Sequence, residues 1–229
     1  NLQGSKISIR RDHIYQDAFE QVLKSPLTHF LSIRFIDVHG KMEQGVGRGV
    51  NLEFINCFIK EAFSKEKLLF KETQSGTNAL YPNPDVFKVV PDALQHYYVI
   101  GKLLGSCILS KIQICAPICK FVMKEIFCAN YRPSVSDLAE MDPELFQNLM
   151  ALKDANPEDV SNYDLDFTYS IGKDDQTVEL IENGANIQVT KENRLFYIEK
   201  IAQLKLSRGM ERQLQAIKEG VQATIPLHW

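Results

Sequence analysis

Three sets of residues in this sequence have types and spacings that could do chemistry. The first is Gly45-Val46-Gly47-Arg48-Gly49. A glycine-rich turn between a strand and a helix can cradle a phosphate, because backbone N–H groups and the helix dipole both face the anion. Here the spacing is not G-x-G-x-x-G, and no Lys-Ser or Lys-Thr pair follows, so neither common phosphate-binding pattern is present. A tight structural turn is the simpler reading of these glycines.

The second set is the five cysteines, Cys57, Cys107, Cys115, Cys119 and Cys128. A zinc site needs four Cys or His ligands, usually in close-spaced pairs. Cys115 and Cys119 are separated by a spacer containing Pro117, with no histidine nearby. His96 falls on an apolar helical pattern and reads as a core-edge residue. No metal and no cofactor is therefore expected. A nucleophilic thiol needs an electropositive, partly open setting. Cys57, Cys107, Cys119 and Cys128 lie in apolar or amphipathic segments without a neighbouring histidine in sequence. They read as small apolar residues. An odd number of scattered cysteines suits free thiols in a reducing compartment. The third set, Asp37, Glu43 and Glu53, offers carboxylates without a diagnostic pairing; solvated or helix-capping roles are expected. The residue chemistry alone therefore yields no active site. That favours a binding module or part of a larger enzyme.

Hydrophobic periodicity defines the elements that would position these residues. Helical spacing predicts helices over 13–23, 51–63, 92–110 and 117–128, with Asp12 as N-cap of the first and Pro117 in the opening turn of the last. Pro26 blocks continuation of the first helix. Gly101 and Gly105 leave a bare patch on the third, where another element can approach closely. Residues 31–38 read as a strand, 68–71 as a short strand, and Leu80-Tyr81-Pro82-Asn83-Pro84 as a proline-punctuated loop. Beyond 131–133 the character changes. Short helices are predicted over 134–140 and 143–152, the second capped by Asp142. Strands are predicted over 165–171 and 177–181, with a turn at Asn183-Gly184 after the second strand. A helix opens at Thr190, with Asn193 in the capping-box position, and runs to about 206. The last helix, 208–224, ends at Pro226. A small mixed segment thus interrupts a mostly helical body.

The chain has 229 residues, 45% hydrophobic and 24% charged, with a net charge of −3. That length can bury a core without disulfides or metals. No basic stripe supports nucleic-acid binding, no cationic amphipathic face supports membrane binding, and no apolar run reaches about 18 residues. Asn1–Ser5 is read as a leftover of cloning and set aside. A soluble protein of the cytoplasm or nucleus is expected.

Several motifs in order resemble the HECT-type ubiquitin ligase family, specifically the amino-terminal lobe of its HECT domain. They are Ser8-Ile9-Arg10-Arg11, Glu43-x-Gly45 with the glycine turn and Glu53-Phe54, Leu80-Tyr81-Pro82-Asn83-Pro84, and Tyr98-x-x-Gly101-Lys102-Leu103-Leu104-Gly105. Val189-Thr190-x-Glu192-Asn193-Arg194-x-x-Tyr197 is the most specific, and residues 213–220 complete the set. The glycine turn departs from the family pattern, with Val46-Gly47-Arg48 where an acidic residue usually stands.

The resemblance implies a helix-dominated α/β fold. Its large helical subdomain would comprise 6–132 and 204–229, and a small inserted α/β subdomain 133–203. It implies a ubiquitin-protein transferase whose partners are a ubiquitin-conjugating enzyme, ubiquitin, and protein substrates held by regions outside these residues. The cysteine that accepts ubiquitin would lie in a carboxy-terminal lobe; no cysteine here matches it, so no catalytic residue is assigned. The small subdomain would hold a hydrophobic groove for a phenylalanine of the conjugating enzyme. By motif, Leu145, Asn148, Leu149, Tyr163, Leu165 and Tyr197 fall at groove positions, and Ala155 falls where an aromatic can occur, implying a shallower groove there. Leu145 and Leu149, at i and i+4, share a helix face. Two other readings remain open: a non-catalytic interaction domain of the same fold, and a small-molecule enzyme using the glycine turn. The groove leucines could also be the core of a small subdomain.

Overall fold

Ile7 and Ile9 alternate with polar neighbours, and this two-residue period makes Ser5–Arg10 the first strand, β1. The computed structural model describes residues 5–25, 31–128, 130–171, 176–207 and 209–225. Of the five residues set aside above, Ser5 therefore opens a strand, and 1–4 lie outside the described residues. β1 pairs in parallel with β2 (Leu31–Ile36), from Ser5 beside Leu31 to Arg10 beside Ile36. The crossover between them holds α1 (Ile14–Lys24).

The helices after β2 are α2 (Arg48–Ala62), α3 (Ala93–Leu109), α4 (Lys120–Phe127), α5 (Leu138–Met141), α6 (Pro143–Asp154), α7 (Arg194–Leu206) and α8 (Glu211–Gln222). Two antiparallel ribbons complete the elements: β3 (Phe70–Glu72) with β4 (Leu80–Pro82), and β5 (Thr168–Ile171) with β6 (Gln176–Glu179). The fold is a helix-dominated α/β fold with small sheets.

The chain divides into two compact units. The first takes residues up to 72, 80–118 and 209 onward; the second takes 73–79 and 119–208. The sequence segmentation drew the inserted piece at 133–203; by contacts it also gathers α4 and the 73–79 loop. Two bonds show why. Gln74 N–H donates to the Met141 carbonyl at 3.0 Å, and Lys120 N–H to the Glu140 carboxylate at 2.8 Å.

In the first unit, Ile7, Ile9, Ile33 and Phe35 are buried against Tyr15, Ala18 and Val22 of α1 and Phe54, Ile55 and Phe58 of α2. The Asn51 side chain ties α2 to β2, donating to the Leu31 carbonyl and accepting from Ile33 N–H. α3 and α8 run parallel and in backbone contact. Gly101 sits against Ile217 and Gly220, and Gly105 against Val221 and Thr224. The buried Lys102 ammonium donates to the carbonyls of Val22 and Ser25, at 2.7 and 2.5 Å, which closes the C-terminal end of α1.

Several expectations change. Asp12 does not cap α1: it pairs with His13, while Asp17 accepts from Arg10 N–H and pairs with the Arg10 guanidinium. Leu80–Pro82 is a strand rather than a loop; the nitrogens of Leu80 and Pro82 face away from β3, so the missing Pro82 N–H costs the ribbon no bond. α4 starts at Lys120, not 117, because 117–118 stay extended: Leu80 N–H donates to the Pro117 carbonyl, and Ile118 bridges to Leu80. Pro26 and Pro226 lie outside the described residues.

Candidate functional site

Of the three chemically suggestive sets, the glycine turn is structural in its contacts. Gly47 has φ +106° and sits at the N-cap of α2, which starts three residues earlier than its periodicity suggests. Glu43 and Glu53 are neither free nor capping. Both bind the Arg11 guanidinium, at 2.5 and 2.6 Å, and that guanidinium lies 4.2 Å over the Phe35 ring. The cluster holds the Glu43 carboxyl below its usual range, chiefly through the hydrogen bond from Arg11. All five cysteines are free thiols; burial pushes Cys107 and Cys119 up to about 12, so both are neutral thiols. His96 stacks on Phe19 and its Nδ1 is 2.9 Å from the Tyr15 hydroxyl; burial lowers its pKa. Among the described residues, no three His, Cys, Asp or Glu side chains converge as a metal site would require.

The second unit is built differently. Asp142 accepts from Leu145 N–H at 3.1 Å, which caps α6, and Pro143 supplies the first helical position. The same carboxylate lies 3.6 Å from Lys205 of α7. The other end of α6 is fixed by Arg194, whose guanidinium donates to the Ala155 carbonyl at 2.6 Å. Asn193 accepts from Thr190 N–H at 2.7 Å and donates to the Gln188 carbonyl at 3.0 Å. Thr190 thus does not begin the helix; Asn193 immediately precedes α7 and holds the turn that enters it. Val189 N–H donates to the Leu165 carbonyl at 2.7 Å, so the same turn places Leu165. A short 3₁₀ helix, Val160–Tyr163, ends at Asp164 in the left-handed region, φ +50°. This is the reversal that brings Tyr163 and Leu165 towards α6.

The result is a recess of about 370 Å³. All six residues singled out from the sequence line it: Leu145, Asn148, Leu149, Tyr163, Leu165 and Tyr197. Leu149 and Tyr197, 4% and 6% exposed, form its depth; Tyr163, 51% exposed, stands at its mouth. The Tyr197 ring meets Phe167 edge-on at 5.4 Å, and burial raises its phenol above the usual range. The lining also includes Ala151, Leu152, Tyr169 and Ile201, which sequence reasoning did not name. Leu152 follows Leu149 by three and Ile201 follows Tyr197 by four, so helical spacing could have found both. Ala155 is not part of the lining; its role is the carbonyl that holds Arg194.

A larger groove, about 640 Å³, lies in the first unit beside Leu23, Leu94, Tyr98 and Ala216. Much of its polar rim is engaged within the unit. Glu211 accepts from Gly209 N–H, Gln215 donates to Glu219, and Arg212 lies over Phe87. The functional reading therefore rests on the smaller recess, where the motif-selected residues converge.

A family model described as HECT-domain (ubiquitin-transferase) matches residues 56–229. The chain belongs to the HECT-domain family. Its relatives include a probable E3 ubiquitin protein ligase, C167.07c, of Schizosaccharomyces pombe, 34% identical over 96% of this chain and 22% of the relative. The E3 ubiquitin-protein ligase etc-1 of Caenorhabditis elegans is 29% identical over 100% of this chain and 24% of its own length. The human ubiquitin-protein ligase E3B is 29% identical over 97% of this chain and 21% of its own length. The HECT chain described here thus spans about a fifth to a quarter of the curated relatives it matches. Among the described residues, no helix is long and apolar enough to cross a membrane.

Proposed function

We propose that this chain is the docking part of a HECT-type ubiquitin ligase, and that the recess between α6, Leu165 and α7 receives an aromatic side chain of a ubiquitin-conjugating enzyme. In this reading the whole protein passes ubiquitin from the conjugating enzyme's cysteine to a ligase cysteine outside these residues, and then to a substrate lysine. Residues 1–229 supply proximity and orientation, not the thioester. Ubiquitin and protein substrates are the further partners, the substrates held elsewhere in the protein. Free thiols fit a reducing cytoplasmic or nuclear setting.

The observation that carries this reading is the convergence of six motif-selected residues on one apolar recess open to solvent. Apolar surface left hydrated costs about 25 cal/mol per Å², which an entering aromatic ring recovers. The test is titration of the protein with a panel of ubiquitin-conjugating enzymes. Leu149→Arg and Tyr197→Ala are expected to abolish binding, but both positions are nearly sealed and the fold must be checked alongside. Tyr163→Ala and Leu145→Arg change half-buried or exposed positions and should weaken binding about tenfold or more while the melting temperature holds. Unchanged affinity in folded variants would remove the assignment.

A further inference from the structure

Charge is unevenly divided between the two units. The unit that holds the recess carries sixteen Asp and Glu against ten Lys and Arg, a net charge of −6; the remainder of the chain is +3. The bias sharpens at the recess. Residues 143–167, which supply seven of its ten lining residues, hold six carboxylates and a single cation, Lys153. Glu144 and Asp164 are exposed and stand directly beside lining residues: Glu144 precedes Leu145, and Asp164 separates Tyr163 from Leu165. Among the described residues, no Lys, Arg or His forms an ion pair with Glu144, Glu158, Asp164 or Asp166, whereas Asp137, Glu192 and Asp142 pair with Lys124, Lys191 and Lys205. Lys205, which lies over the Tyr169 ring, is thereby already matched.

We propose that this acidic mouth selects its partner: the conjugating enzyme that docks here presents its aromatic side chain within a cationic surface, and Glu144 and Asp164 meet its lysines or arginines. The inference rests on the docking reading above and adds the chemistry of the partner's rim. Unpaired like charges around an apolar recess steer an oppositely charged partner and repel an acidic one, while the apolar seat supplies most of the affinity. The acids lie at the surface, so their effect is carried by the association rate and screened by salt.

The test uses conjugating enzymes sorted by the charge flanking their docking aromatic, with association rates measured by stopped flow at low and high NaCl. Enzymes with a cationic flank should bind about tenfold faster than neutral or acidic ones at about 50 mM salt, and the gap should shrink to about twofold at about 500 mM. The double variant Glu144→Lys/Asp164→Lys should abolish the preference or reverse it. Glu144→Gln/Asp164→Asn, which conserves shape, should reduce the rate of cationic partners about threefold. Glu182→Lys/Glu179→Lys, the same charge change as the double reversal but off the recess lining, should shift rates by less than about twofold, as should Glu182→Lys alone. Binding that ignores salt, or a double reversal no different from Glu182→Lys/Glu179→Lys, overturns the charge proposal and leaves docking standing. Failure of every enzyme in the panel to bind the unaltered protein overturns both.

Discussion

Two helix pairs in this molecule meet in opposite ways. α3 and α8 touch backbone to backbone, because Gly101, Gly105 and Gly220 present no side chain at the crossing. A Cβ on Gly101 would collide with the Ile217 carbonyl, and one on Gly220 with the Tyr98 carbonyl. α6 and α7 instead face each other through Leu145, Leu149, Tyr197 and Ile201, and a recess remains among these larger side chains. Small residues let two helices close the space between them; large ones, on helices tied at both ends by Asp142–Lys205 and Arg194–Ala155, can preserve it. The first contact is closed; the second leaves an apolar recess.

Substitution can test either side of this contrast. The largest effect is expected at the closed pair. Gly220→Val forces side-chain atoms into the α3 backbone and should cost about 4 kcal/mol or more, read as a lowered denaturant midpoint. If Gly220→Val melts like the parent, the two backbones are not in contact. At the open pair, Arg194→Met removes the bond to the Ala155 carbonyl while keeping length. A loss of about 1–3 kcal/mol is expected, together with weaker conjugating-enzyme binding than the stability loss alone explains. Retained binding in a folded variant would show that the recess keeps its shape without that tie. Asp142→Ala should have the smallest effect, about 1 kcal/mol, through the lost α6 cap. Thermal melts distinguish it from a Glu144→Ala control, which removes a carboxylate with no such bond.

Much of this was legible from residue order. The α1 helix, the Asp142 cap and the bare glycine patch on α3 appear where spacing placed them, and the six motif-selected residues line one recess. What stayed hidden depends on partners distant in sequence. β1 shows only Ile7 and Ile9 as a signal, and its identity as a strand comes from β2 beside it. Leu80–Pro82 reads as a loop because proline is a poor strand residue, yet the Pro82 nitrogen faces away from β3 and costs the ribbon no bond. Arg194 and Asn193 were legible as a motif but not as a mechanism. Their bonds go to the carbonyls of Ala155 and Gln188 and to the Thr190 amide, and backbone groups carry no residue code. The same holds for Glu43 and Glu53, whose shared cation, Arg11, is 32 and 42 residues away.

The glycine crossing of α3 and α8 has a consequence for synthesis. Gly101 and Gly220 are joined by a long stretch of chain that includes nearly all of the second unit. As the polypeptide emerges from the ribosome, residues 119–208 precede α8 and can complete their own contacts first. The first unit must wait with the α3 glycine face bare until α8 arrives. A contact so distant in sequence is slow to form, and during that interval the uncovered α3 face is open to misassociation.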